Sequence, residues 1–444
     1  GEEACAAAAP ASAGRAHFSA HRGVDLNRTG FNPHSPPRNL SRPAWTFDHL
    51  DHEPFHQTPV IDGDYNVYMG SGAGWIFSLD RNGKLRWKVK VGRSSAQCPS
   101  LHGDKVYVAC RDGVVLALEA ATGKELWRNK IAEDLPPDTY AVTATEDTVI
   151  SPANTAYGMT FGAAEVVAME AATGTIRWRY FFLMLHSALL VNFLPIVYNG
   201  TVVFSDSNGG VHCLSLDVGK RMWSLPGEDR ASFALGGVGL GPNGVLYLGA
   251  TSSVSSEGKG LVRALDLQGK LLWQRRLAME IHAAPAIAAL RPGGPLALVI
   301  GAGRPTGNVQ TVREWLRVKM GLDPEPLFEG RVHAMDAETG EPLWSFRPEP
   351  WREQACAGAT ADLACLPDLW SLPVITPDGT VYINWSAGGV TYALRDANGD
   401  GNVDEGDPAE VSKFSSGTGA TGPPVIAPGM LTVAACRHIY TFLE

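Results

Sequence analysis

The residues best spaced for chemistry are the oxygen ligands of one short acidic run: Asp396, Asn398, Asp400, Asn402, Asp404 and Asp407. Counted from Asp396 they stand at positions 1, 3, 5, 7, 9 and 12, with Gly401 at position 6, the spacing of a calcium-binding loop. Alternating hard oxygens suit a hard divalent cation. Gly401 permits the sharp turn, Asn402 offers its backbone carbonyl, and Val403 at position 8 packs inward. Asp407 stands where Glu is usual, Pro408 follows it, and a strand pattern precedes the loop in place of a helix. The expectation is a structural calcium ion ordering an enlarged turn between two strands.

Other chemistry is hard to assign. The chain has no GxSxG elbow, no HExxH helix and no phosphate-binding P-loop, and its scattered carboxylates do not pair by spacing. His17, His21, His34, His49, His52 and His56 cluster early, but none stands at ligand spacing from a cysteine. They are read as surface or hydrogen-bonding residues. Of the seven cysteines, Cys356 and Cys365 bracket a short Ala/Gly loop that a disulfide would close. Cys98 and Cys110 flank the Gly103-Asp104 turn, near enough in a hairpin to pair if the register agrees. With the Ala-rich opening from Gly1 to Gly14, which looks like the start of a processed chain, these favour an extracytosolic compartment.

The 444 residues, 45% of them hydrophobic, are enough to bury a large core. A formal charge of −9 argues against nucleic acid as a general partner, which would need a basic face. The longest apolar run, Phe181 to Val197, contains His186, Ser187, Asn192 and Pro195. It falls short of the roughly 20 apolar residues of a membrane span and reads as two buried strands with their connection.

What must position the acidic run is a repeat. A β-rich run with turn glycines, an Ala-Leu or Ala-Met dipeptide, an acidic turn ending in Gly and then a tryptophan recur along the chain, most cleanly at Ala117 to Trp127, Ala168 to Trp178 and Ala334 to Trp344. One unit divides into strands at Cys98 to His102, Lys105 to Cys110, Val114 to Glu119 and Glu125 to Lys130. Four antiparallel strands in about 40 residues make a propeller blade. Blades carrying Trp87, Trp127, Trp178, Trp223, Trp273 and Trp344 follow. A seventh, from Pro373 to Phe414, lacks the tryptophan and holds the acidic run. An eighth draws three strands from Pro423 to Phe442 and its outer strand, with Trp45, from Pro43 to Phe47. The fold class is all-β: an eight-bladed propeller over 43–444, closed by strands from both chain ends, after an extended arm over 1–42. The tryptophans are structural, lying between blades.

Two insertions interrupt the repeat. Within 303–330, Val309, Val312, Leu316 and Met320 have helical spacing, Asn308 is placed to cap the start, and Arg313, Arg317 and Lys319 give a basic side. The loop from Pro348 to Leu369 carries Trp351 and both Cys356 and Cys365. Such loops on a rigid scaffold are where partners dock.

The Ala-Leu-Asp/Glu, Thr-Gly, Trp pattern resembles the tryptophan-docking repeat of the PQQ-like, or quinoprotein-like, β-propellers. The likeness runs from Arg22 to Leu443 and includes a lead-in at His21-Arg22-Gly23 and Arg28-Thr29-Gly30. The resemblance implies either quinoprotein dehydrogenases, which hold PQQ and calcium in the central funnel, or cofactor-free scaffolds such as those of bacterial outer-membrane assembly. No two cysteines are adjacent here, whereas alcohol-oxidising members carry an adjacent-cysteine disulfide beside the quinone. No Glu, Asn and Asp set for a quinone-bound calcium can be placed on inner strands. The expectation is a propeller without PQQ, serving as a protein-binding accessory subunit of a larger, membrane-associated assembly. The alternatives are a PQQ-dependent oxidoreductase and a small-ligand or glycan-binding propeller.

Overall fold

The computed structural model describes residues 16–48, 58–93, 98–133, 142–154, 165–181, 193–227, 237–252, 259–303, 329–350 and 370–444 except 387, 421 and 437, together with 96, 135, 190, 232 and 233. The described residues form strands and turns, with no helix among them. The helical insertion expected over 303–330 lies outside them but for its ends, as does the Cys356 to Cys365 loop.

Eight sheets make an eight-bladed β-propeller. Taken in chain order, the inner strands are Val60–Ile61, Ser100–His102, Thr143–Ala144, Ile196–Tyr198, Val238–Leu240, Ala286–Ala289, Val374–Ile375 and Val425–Ala427. The outer strands of blades 1 to 7 are Leu85–Lys90, Glu125–Lys130, Ile176–Phe181, Arg221–Leu225, Leu271–Leu277, Pro342–Phe346 and Val411–Ser415. Blade 8 takes its outer strand from the start of the chain. Trp45–Phe47 pairs antiparallel with Ile439–Leu443, Trp45 opposite Thr441 and Phe47 opposite Ile439.

Burial follows from this geometry. A middle strand such as Val67–Gly70 is buried throughout because both its faces meet neighbouring blades, and so it reads as a continuous apolar run. An outer strand such as Glu125–Lys130 meets a neighbour on one side only, and its exposure alternates.

Blades are joined by one repeated contact. The indole N–H groups of Trp45, Trp87, Trp127, Trp178, Trp223 and Trp273 donate to the carbonyls of Arg81, Ala120, Ala171, Leu216, Leu267 and Ala337 at 2.8 to 3.1 Å. Each acceptor belongs to the acidic turn of the next blade. The glycine of that turn lies beneath the indole with φ between +65° and +82°, and a Cβ there would stand 2.4 to 2.9 Å from ring atoms. Glycine is therefore required twice at this position, for its left-handed backbone and for the space. Complete burial of such a ring is worth about 1.5 to 3 kcal/mol, an upper limit here because Trp178 is buried and the other five are partly buried. Across from Trp127, Trp178, Trp273 and Trp344 stand Ala117, Ala168, Ala264 and Ala334, fully buried and small enough for the faces to close.

The chain of docked indoles breaks on both sides of blade 7. Trp344 packs with Phe346, Val403 and Val411, and the acidic run takes the place of a docking turn. Its Asn402–Val403 pairs in parallel with Ser345 and Phe346, adding a fifth strand to blade 6. Toward blade 8, Phe414 meets Tyr440 and Phe442 edge to face, with centroids at 4.9 and 5.2 Å.

Two glycines separate the parts of the docking contact. Gly174 has φ +73° and Trp127 beneath it, whereas Gly244 has φ +74° and open space around its Cβ position. In urea denaturation, Gly244→Ala should cost about 1 kcal/mol for backbone strain alone, and Gly174→Ala about 3 kcal/mol because the indole must also move. Equal losses would mean that the indole yields without cost.

Candidate functional site

The propeller axis is where a closed ring can hold a ligand, and here it is threaded by the chain itself. Residues 18–32, expected to form part of an arm ahead of the ring, lie inside it and bond to every blade. Ser19 exchanges backbone hydrogen bonds with Ile61 of blade 1, and the amides of Leu101, Val197, Leu240, Ile287 and Ile375 donate to the carbonyls of Ala20, Leu26, Asn27, Thr29 and Gly30. The Ser19 hydroxyl and the Asn32 amide both donate to the Ile426 carbonyl of blade 8, at 2.9 and 3.1 Å. Arg28 reaches blade 3 through Thr143 Oγ1 at 2.5 Å.

Arg28 is the centre of this plug. Its side chain is fully buried, donating from Nε to the Pro195 carbonyl at 3.2 Å and from Nη1 to the Arg22 carbonyl at 2.7 Å. Burial pushes its pKa down to about 10, opposed by nearby Asp25, so it stays charged at neutral pH. Asp25 accepts from the Thr29 amide at 3.0 Å and the Thr29 hydroxyl at 2.6 Å. Burial nevertheless raises its pKa, the hydrogen bonds to Thr29 offsetting only part of that effect. Val24 and Arg28 adopt φ of +77° and +54°. Such backbone persists where the surroundings over-determine it, as eight converging blades do.

His21 also lies in the plug, with Nδ1 at 2.6 Å from the Ser100 hydroxyl, which itself accepts from the Ala144 amide. Burial, then the positive charge of Arg28, hold its pKa well below the usual value. Among the early histidines, His17 and His34 are partly buried, and His49, His52 and His56 lie outside the described residues. Among the described residues no three His, Cys, Asp or Glu side chains are gathered as a metal site.

The acidic run forms a compact turn. Asp396 accepts from the amides of Gly399 and Gly401 at 2.8 and 3.2 Å, Asn398 from Asp400 at 2.8 Å, and Asp400 from Asn402 at 2.8 Å. Asp404 and Asp407 accept from Gly406 and Ala409. Gly399 and Gly401 take φ of +74° and +84°, the backbone such a coil requires. A carboxylate has about four acceptor directions, so one amide on each oxygen leaves lone pairs for a cation. Spacing did not reveal Glu410, which is fully buried. Its carboxylate accepts from the amides of Ala397, Asn398 and Asp404 at 3.1, 3.3 and 2.8 Å, holding the two ends of the coil together.

The expected Cys98–Cys110 disulfide is not formed, and both are buried thiols. The reason is register. Cys110 bridges to Ala96, two residues before Cys98, so the two cysteines are offset along the hairpin, and the Cys98 sulfur instead accepts from the Thr58 amide of blade 1 at 3.2 Å. Burial, reinforced by Asp112, raises the Cys110 pKa. Cys436, unassigned from sequence, is disulfide-bonded, and since the other described cysteines are thiols its partner lies outside the described residues.

Comparison with known proteins agrees with this architecture. The family described as PQQ_2, outer membrane protein assembly factor BamB, matches residues 72–233. Over that stretch the chain is similar to the PQQ-like repeat β-propellers. It is 29% identical over 252 residues to the outer membrane protein assembly factor BamB of Moranella endobia, covering 56% of each. It is 28% identical over 251 residues to the serine/threonine-protein kinase AfsK of Streptomyces griseus, covering 53% of this chain and 29% of the kinase. The propeller thus spans less than two thirds of the length of these relatives. The solved structure of quinohemoprotein alcohol dehydrogenase ADHIIG from Pseudomonas putida HK5 superposes with a TM-score of 0.65 at 12% identity, covering 96% of this chain and 80% of that one, a likeness of fold alone.

Two histidines of this propeller set a pH limit. His21 is held well below the usual imidazole value of 6.5, and His333, partly buried beside Arg331, is pushed down to about 4. A base whose folded pKa is depressed binds fewer protons than the unfolded chain, so stability is complete above about pH 6.5 and falls as pH drops toward the folded value. Each unit of separation is worth about 1.4 kcal/mol. Thermal melts between pH 7 and 4 should show a falling Tm, and His21→Gln should flatten that fall. An unchanged slope would remove His21 from the account.

Proposed function

We propose that this propeller is a non-catalytic, protein-binding subunit of a larger assembly in an extracytosolic space. The observation that carries the reading is the threaded axis. A quinone held in the central funnel would have to share the inner-strand level with residues 18–32, which bond to all eight blades there. An axial small-ligand or glycan site meets the same obstacle. The relatives named as outer membrane protein assembly factors support a binding role, and the Cys436 disulfide supports an oxidising compartment. Among the described residues no helix is long and apolar enough to cross a membrane, so an association with one would run through partners or through segments outside these residues.

The oxidoreductase alternative is tested directly. Purified protein supplied with PQQ and calcium, then assayed for alcohol and sugar oxidation with an artificial electron acceptor, should show no turnover. Quinone-dependent oxidation at ordinary enzymatic rates would overturn the scaffold reading.

The acidic run supports a second proposal on its spacing, a calcium ion that would draw together Asp396, Asn398, Asp400, the Asn402 carbonyl, Asp404 and Asp407, whose carboxylates are not gathered as a metal site in this structure. Its role would be structural, since the same coil carries the strand that pairs with blade 6. Isothermal titration should show uptake of about one calcium, abolished by Asp396→Ala with Asp400→Ala. Addition of calcium should raise the Tm of the wild type and leave that variant unmoved. No heat of binding in the wild type would remove the ion from the account.

A further inference from the structure

The outer strand of blade 1 differs from the others in charge. Between Asp80 and Asp104 the chain has no acidic residue, and Arg81, Lys84, Arg86, Lys88, Lys90 and Arg93 give six cations in a protein of net charge −9. All six are exposed. On other blades many cations of the outer strands have carboxylates within the chain: Arg128 with Glu125, Arg177 with Asp147, Arg179 with Glu165, Arg275 with Glu341 and Lys413 with Glu405. Among the described residues, none of the six on blade 1 is in an ion pair. Lys88 and Lys90 instead lie over the ring of Trp75, at 5.1 and 5.3 Å.

The strand also has an open edge. Leu85–Lys90 pairs with Trp75–Leu79 and ends its sheet, so its other side bears no strand among the described residues. The protein itself shows how such an edge is filled. On blade 6 the corresponding strand, Pro342–Phe346, receives Asn402–Val403, and the segment that supplies it is acidic on both sides, with Asp400 before and Asp404 and Glu405 after. Lysines on an edge strand ordinarily guard against unwanted pairing. Here the charge extends past the strand into both flanking turns, beyond what guarding one edge requires.

We propose that the outer edge of blade 1 is a docking site for an extended acidic segment of a partner protein, which pairs as a fifth strand along Leu85–Lys90 and sets its carboxylates against the five cations other than Arg86, whose guanidinium is held by Ser78, Tyr68 and the turn of blade 2. Backbone hydrogen bonds supply the pairing and charge complementarity supplies the selection. The proposal rests on the protein-binding reading above and names the surface and chemistry of the partner.

The test uses the full chain and a dye-labelled decapeptide of alternating Glu and Val, followed by fluorescence anisotropy at low and high salt. The wild type should bind, more weakly as salt rises. Lys84→Glu, Lys88→Glu and Lys90→Glu together should weaken binding about tenfold or more, with the melting curve confirming that the variant folds. Reversing Lys124 and Lys220 on blades 2 and 4 should leave binding near the wild-type value. A peptide N-methylated at alternate residues should bind poorly, because it cannot pair with the edge. Equal binding by wild type and triple variant, or full binding of the methylated peptide, would overturn the proposal. Charge-dependent binding to vesicles containing anionic phosphatidylglycerol, with no binding of the peptide, would overturn it in favour of a membrane surface. The quinone assay on the same preparation reports separately on the scaffold reading. Turnover there removes that reading, whereas loss of peptide binding without turnover removes only the blade 1 edge.

Discussion

An indole resting on a left-handed glycine of the next blade is the contact on which the rest of this ring depends. It fixes three things together: the spacing between blades through the ring thickness, their rotation through the N–H to carbonyl bond, and their order, because each tryptophan reaches forward to a turn about 40 residues ahead. Hydrogen bonds within sheets cannot do this, since they end at the edge of each blade. The contact is local to each interface and repeated, so the ring tolerates a change of mechanism at blade 7. There an acidic coil and a three-ring aromatic cluster replace it.

A ring built this way has a hole at its centre, and the inner strands expose backbone amides and carbonyls toward it. Buried polar groups of this kind need partners. Residues 18–32 provide them, blade by blade, through their own backbone and through Ser19, Arg28 and Asn32. The plug and the closure of blade 8 by Trp45–Phe47 come from one continuous stretch at the start of the chain. That stretch therefore both seals the axis and latches the circumference. The surfaces left open to other molecules are the loops and outer edges.

Those outer edges are unequal. The edge of blade 6 is occupied by the chain's own acidic coil, whereas the edge of blade 1 is open and carries cations with no carboxylate partner among the described residues. The same repeat thus presents chemically distinct surfaces around a symmetric frame. Relatives as different in name as an assembly factor and a protein kinase carry it, which agrees with a fold that supports binding without prescribing chemistry.

The sequence by itself determined the number of blades, the strand order within each and the closure by both chain ends, because turn glycines, alternating strands and tryptophans are local signals that recur. The acidic coil was legible for the same reason, its oxygen-bearing side chains lying within twelve positions of one another. Tertiary structure alone decided where His21 and Arg28 reside, since nothing in a non-repeating lead-in says that eight separate strands will converge on it. It also decided that Glu410 clamps the coil and that Cys110 meets Ala96 across the hairpin, out of step with Cys98, because pairing register is fixed by the whole sheet. Short-range periodicity survives in a linear string. Partners brought together from distant positions do not, because their meeting depends on the closure of the ring.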